Sequence, residues 1–328
     1  MNISRRTFLT GAGAAAASAL ALNAARSYDE AALRADVFIA QASSYEVDLE
    51  AVIRRGLEEL GLGSSTIKGK VVLLKPNLVE PTRSEPQINT HPGLVRAAAE
   101  VFRRWQAREV LVAEGQGHCR DTLFVLDQSG MAPMLAAANL PFVDLNHDDV
   151  YTATNTLGYT RLRELMLPLT LRRADVIVSM PKMKTHHWAG VTLSMKNLFG
   201  VLPGVCYGWP KNVLHHQGIH QSILDISATV RPHLAIVDGI IGMEGDGPIM
   251  GTPKASGVVV MGTNLPAVDA TCARLMGINP FRVAYLAAAS GRLGPIGELH
   301  ITQRGESLAP LVQPYQLLDH PSLSGLRA

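Results

Sequence analysis

Short apolar runs alternate along the chain with longer segments whose apolar residues recur every three or four positions. Residues 37–39, 70–74, 109–113, 141–145, 174–179, 234–238 and 257–262 read as strands. Helical periodicity predicts helices over residues 45–60, 91–107, 131–138, 218–230, 267–276 and 281–289, and over 161–173 despite Pro168. In the first of these Val47, Val52, Ile53, Leu57 and Leu60 fall on one stripe; in the second Pro92 suits the opening turn. Residues 150–160 read as a loop or a small edge hairpin, and the tail after Gly291, spaced by Pro and Gly, as covering loops.

The runs VVLL, DVIVS, LAIVD and GVVVMG are continuously apolar and do not alternate with polar residues. Strands of that kind are buried on both faces, so helices must cover both sides of a largely parallel sheet. The expectation is a three-layer α/β fold forming one domain over residues 30–328. With 328 residues, 47% of them hydrophobic, the chain has ample material for such a core.

The N-terminal residues 1–25 carry a different pattern. Arg5 and Arg6 precede a short apolar run rich in alanine and glycine, which reads as a cleaved twin-arginine signal. The run falls short of the ~20 apolar residues that span a bilayer, so no stable membrane anchor is expected after cleavage. The implied route is the twin-arginine export machinery and the implied location the periplasm. Removing the two arginines takes the net charge from +2 to about 0 (2 − 2), so no global basic field points to nucleic acid.

Cys119, Cys206 and Cys272 are far apart and form no C-x-x-C. That argues against an iron–sulfur cluster or a cysteine zinc site. One disulfide is open; three small buried residues is the plainer reading.

In open α/β sheets, ligands bind beyond the carboxyl ends of the strands. The predicted strands are followed by Lys75-Pro76-Asn77, by Glu114-Gly115-Gln116-Gly117-His118, and by Met180-Pro181-Lys182-Met183-Lys184-Thr185-His186. Asp238-Gly239 with Gly242–Pro248 follows the next, and Thr263-Asn264 the last, with Asp269 opening a helix. Singly, each is explained by a solvated lysine or a glycine turn. Five strand ends delivering polar, glycine-flanked groups to one rim predict a shared site.

Lys75, Lys182, Lys184 and Lys196 are the expected anion binders, with Asn77, Glu114, Thr185, Asn197, Gly245 and Gly247 beside the ligand. Asp238, Glu244 and Asp269 are expected as a general base or as metal ligands, and His186 or His220 as a proton carrier. Six of the eleven histidines lie between His186 and His233. His216 and His220 are four apart, which on one helix would place them together as a metal pair for a divalent ion. G-x-x-x-x-G-K-[ST], G-x-G-x-x-G, G-x-S-x-G and H-E-x-x-H are all absent, so neither nucleotide loop, nor a serine elbow, nor a zincin helix is indicated.

The ordered set KPN at Lys75, PKMKTH at Pro181, Lys196-Asn197 with Gly200, Asp238-Gly239 and GMEGDGP at Gly242 resembles the family catalogued as domain of unknown function 362, over about residues 70–277. Some members of that family carry ferredoxin-type cysteine modules. This chain departs from the pattern and has no such module, so the resemblance does not carry a cluster over. The sequence thus predicts an exported, enzyme-like α/β protein binding a small phosphate or carboxylate compound, with a place for a divalent metal. A periplasmic anion or metal carrier without turnover, and a maturation partner of an exported redox enzyme, stay open as alternatives.

Overall fold

The structure, a computed structural model, describes residues 34–117 and 121–327. The twin-arginine segment and Cys119 lie outside them. One sheet organises the described chain. Its strands are β1 (Ala35–Gln41), β2 (Val71–Pro76), β3 (Glu109–Glu114), β4 (Phe142–Asp144), β7 (Val176–Met180), β10 (Leu234–Glu244), β11 (Thr252–Gly262) and β12 (Ile301–Gly305), with β8 (Lys182–His186) and β9 (Gly190–Thr192) branching from it. A separate hairpin holds β5 (Val150–Thr154) and β6 (Glu164–Pro168). The order is β12-β1-β11-β10-β7-β2-β3-β4, and β8 lies along the outer half of β10.

Neighbouring residues of one strand serve opposite faces, as the pleat requires. Val71 and Leu73 join one buried cluster with Ile223, Leu224 and Val268, whereas Val72 and Leu74 join another with Leu94, Val95 and Phe102. Helices Ile219–Val230 and Leu265–Leu275 therefore cover one face, and Leu49–Glu59 and Pro92–Arg104 the other. Every residue of β2 is buried. This is the expected three-layer α/β architecture.

Several expectations need correction. Residues 161–173 are not one helix: Leu165 and Leu167 are buried while Glu164 and Met166 face outward, a period of two. Pro168 then ends the strand and opens the short helix Leu169–Arg173. The tail is not only loops, because β12 pairs in parallel with β1 and extends the sheet. The segment Gly239–Glu244 continues β10 in place of turning.

The most consequential correction concerns β11. It runs antiparallel to β10, with Gly262 paired to Ala235 at the start of that strand. Thr263-Asn264 consequently emerges at the opposite edge of the sheet, where Asn264 caps the Leu265–Leu275 helix by accepting from Ala267 N at 3.1 Å. The rim collects four of the five predicted strand ends.

Candidate functional site

The floor of the site is a buried ion pair between neighbouring parallel strands. Lys75 Nζ on β2 donates to Glu114 Oε2 on β3 at 2.8 Å, to Asn197 Oδ1 at 2.8 Å and to Pro76 O at 2.9 Å. Glu114 also accepts from Leu78 N at 3.1 Å and Gly115 N at 2.9 Å. Burial pushes the Lys75 amine down, and Glu114 pushes it back up. Gly200 lies directly over this pair; a Cβ there would fall 2.6 Å from Lys75 Nζ and inside contact distance of Glu114 Oε1. Only glycine lets the chain pass so close.

Above the floor is a cavity of about 620 Å³, within the range of small-molecule sites. Lys184, Lys196 and Lys211 all line it. Lys184 Nζ donates to the carbonyls of Ile88 (2.9 Å) and Pro248 (3.1 Å). Lys211 Nζ donates to Asn146 Oδ1 at 2.6 Å and to Leu202 O. Lys196, partly open to the cavity, sits 3.9 Å from the centroid of the Phe199 ring. Among the described residues none of the three amines has a carboxylate ion-pair partner. Burial holds Lys184 well below the ordinary lysine range, and the charges of Lys182, Lys196 and Lys75 add to the effect. Burial likewise brings Lys196 and Lys211 down to about 7.

Two imidazoles complete the polar lining with opposite tautomers. His186 Nδ1 accepts from Trp188 N at 3.1 Å and Ala189 N at 3.2 Å, so its proton resides on Nε2. His215 Nδ1 lies 3.0 Å from Lys211 O, a carbonyl that can only accept, so its Nε2 keeps a lone pair. Burial lowers both, which keeps both neutral near pH 7. His186 is thereby a hydrogen-bond donor and His215 a proton acceptor. Asn77 Oδ1 and Thr192 Oγ1, also on the cavity wall, are buried and have no hydrogen-bond partner among the described residues. Such atoms are costly unless a ligand or water satisfies them.

Of the residues expected from sequence, Lys75, Asn77, Glu114, Lys184, His186, Lys196 and Asn197 meet at this cavity. Lys182 and Asp238 do not. Their strands place them side by side in register, and Lys182 Nζ donates to Asp238 Oδ2 at 2.6 Å. Asp238 accepts further from Tyr45 Oη at 2.8 Å and His91 N at 2.9 Å, so the carboxylate is fully occupied. Thr185 faces away from the cavity and donates to Gly245 O at 2.9 Å. Gly245 and Gly247 shape the backbone behind the wall and bring Asp246 and Pro248 to it. Glu244 holds the tail, accepting from Gln316 N at 2.9 Å, with Lys254 at 3.5 Å.

Asp269 touches no part of the cavity but secures one wall. It accepts from Ser194 N at 2.8 Å, Ser194 Oγ and Met195 N at 3.1 Å, fixing the helix Ser194–Asn197 that presents Lys196 and Asn197. Burial raises its carboxyl to about 7. It is a positioning residue.

The expected pair His216 and His220 is not formed on one helix. Gly218, at φ +98°, separates the helix Asn212–His216 from Ile219–Val230. His216 is exposed, while His220 stacks near Tyr285 at 6.5 Å between centroids. Among the described residues no three His, Cys, Asp or Glu side chains are grouped to hold a metal ion.

Sequence reasoning missed Lys211, His215 and Thr192. Lys211 stands alone in a loop after Pro210, and its left-handed backbone at φ +66° gives no signal in the sequence. His215 was detectable only as part of the histidine excess, one position from the residue singled out.

Comparison with known proteins follows from this geometry. The chain is 28% identical over 263 residues to a thylakoid-associated protein of Synechocystis sp., covering 79% of each chain. Among solved structures it is similar to the lactate racemase apoprotein of Thermoanaerobacterium thermosaccharolyticum, at 18% identity and a TM-score of 0.39, over 63% of this chain and 51% of that one. A Thermotoga maritima protein is similar at 12% identity and a TM-score of 0.40, over 71% and 59% of the respective chains. The family model described as domain of unknown function, DUF362, matches residues 72–274, a span that holds β2 from its second residue on, the Lys75–Glu114 floor and Lys184, Lys196 and Lys211. The chain belongs to that family.

Proposed function

We propose that this protein binds a small anion, a phosphate or carboxylate compound, in the cavity over the Lys75–Glu114 floor. One observation carries the reading: Lys184, Lys196 and Lys211 line the same cavity and, among the described residues, none is ion-paired to a carboxylate. Desolvated amines of that kind gain most from a ligand that brings negative charge, through charge-assisted hydrogen bonds. His186 Nε2–H and Thr192 Oγ1 supply further donors to the same anion. The lone pair of His215 and the amine of Lys196, held at about 7, favour turnover by proton transfer over simple carriage.

Titration of the full chain with inorganic phosphate, followed by calorimetry and thermal unfolding, tests this. Binding that weakens about tenfold or more in Lys184→Gln and in Lys196→Gln supports it. No stabilisation by phosphate, sulfate or simple carboxylates in the wild-type chain overturns it. The paired arginines Arg5 and Arg6 before a short apolar run support export of the folded chain to the periplasm. Cell fractionation that leaves the full-length chain, residues 1–25 intact, in the cytoplasm would count against that part.

A further inference from the structure

The cavity is larger and more apolar than an inorganic anion requires. Its amines gather around the floor, where the charge of Lys75 acts on Lys184, Lys196 and Lys211 alike. From there a continuous run of rings leads outward: Phe199, 3.9 Å from Lys196 Nζ, then His215 at 5.5 Å between centroids, then Trp188 at 6.1 Å. Both ring–ring contacts are edge-on, at 62° and 70°, the geometry that aromatic pairs favour, so the three rings form one continuous apolar wall. Trp188 is 52% exposed and Met250 78% exposed, and both belong to the same cavity lining. Single exposed apolar side chains are ordinary. Two large ones at the mouth of a lysine-floored cavity, joined to the amines by an aromatic wall, are a surface awaiting contact.

The volume points the same way. About 620 Å³ leaves most of the space empty once a bare phosphate sits among the amines. The lining also carries the carboxylates of Glu80 and of Asp246, the latter 3.5 Å from His187, and these disfavour a second anion.

Building on the anion-binding reading above, we propose that the ligand is amphipathic: a phosphate or carboxylate head carried on a flat aromatic or similarly apolar body. The head lies among Lys184, Lys196 and Lys211. The body runs along Phe199, His215 and Trp188, under Met250. Edge-to-face ring arrangements and the burial of apolar area then supply the affinity that a bare anion forgoes.

Calorimetric titration of the full chain with matched pairs decides the matter: methyl phosphate against phenyl phosphate, and acetate against benzoate. The aryl member of at least one pair should bind about tenfold tighter or more, the gain expected from burying one ring. The pair that shows it identifies the head group. In Trp188→Ala, whose side chain is half-exposed and not part of the core, that ratio should fall to about threefold or less. Equal affinity within both pairs overturns the amphipathic ligand and leaves the anion site standing. A retained ratio in Trp188→Ala overturns the placement of the body on this wall. Failure of all four compounds to bind overturns the anion site itself.

Discussion

Lys182 Nζ lies 2.6 Å from Asp238 Oδ2, both fully buried, and neither side chain reaches the cavity. Two strand-end residues with the chemistry of a ligand site are consumed by each other. The pair is instead the hinge of a structural network: Tyr45 Oη donates to Asp238 and accepts from Ile241 N further along β10, and the Tyr45 ring stacks on His91 at 3.7 Å. Lys184, two residues on and on the same side of β8, has only carbonyl partners. That difference separates a fold residue from a ligand residue.

Lys182→Ala should therefore lower stability by ~3–5 kcal/mol, because it leaves a buried carboxylate without its cation. Anion affinity, measured on the folded protein, should change by less than about threefold. Lys196→Gln should behave in the opposite way. Unfolding free energy should not fall by more than ~1 kcal/mol, since the change also removes the cost of burying the amine, while phosphate affinity falls about tenfold or more with the loss of a charge-assisted contact. Urea unfolding and calorimetry on the two variants check the contrast, and equal effects on binding would refute the division.

How much of this was legible in the sequence depends on which physical link is involved. Continuous apolar runs such as VVLL announce strands buried on both faces, and polar residues at their ends announce a rim; Lys75, Glu114 and Lys184 follow from that alone. Direction is not written in a run. Nothing local to GVVVMG says that β11 is antiparallel, so Thr263-Asn264 was placed on the wrong edge. Register is not local either. Lys182 meets Asp238 only because β8 pairs with β10, across 56 residues of chain. The i, i+4 spacing of His216 and His220 promised one helical face, and Gly218 breaks the helix between them. His215 and Lys211 enter the site through loop geometry that periodicity does not report.

Gly200→Ala should be among the most damaging single-methyl changes in the chain. The added carbon would displace either Glu114 Oε1 or Lys75 Nζ, and both are buried with their partners fixed. Overpacking alone costs ~1–3 kcal/mol, and disturbing the ion pair adds to it. We expect a loss of about 3 kcal/mol or more in urea unfolding, together with loss of phosphate binding. A variant with wild-type stability would show that the backbone can lift off the pair.

The buried amines also set a pH dependence of stability. Lys196 and Lys211 are held at about 7 in the fold, against about 10.5 for an ordinary lysine. Between those values the unfolded chain binds more protons than the folded one, so unfolding free energy rises with pH across the window. The cost of burying the ammonium groups is fully present below pH 7 and is lifted as pH climbs. Asp269, raised to about 7, acts against this only below pH 7. Over pH 7.5 to 9.5 the lysines dominate, each with a ceiling of ~1.4 kcal/mol per pH unit, reduced for Lys196 by its partial exposure. The urea midpoint should increase over that range, and Lys211→Met should flatten the increase. A midpoint that falls would refute the assignment of neutral amines.

The same amines couple anion binding to proton uptake, and sulfate isolates the effect because it stays a dianion throughout the range. At pH 8 a lysine held at about 7 is mostly neutral. A bound dianion favours the charged form of every amine near it, which raises their pKa values and draws protons from solution. Binding at pH 8 should take up about one to two protons, and at pH 6, where the amines already carry theirs, close to none. Affinity should accordingly weaken as pH rises above 7. Calorimetry in buffers of different ionisation enthalpy reads the number of protons directly, as the slope of observed heat against buffer heat. Lys196→Gln should lower the uptake at pH 8 by up to about one. A heat independent of buffer at pH 8 would mean that the cavity holds its charge without a ligand, and the anion would then be drawn to a field already present.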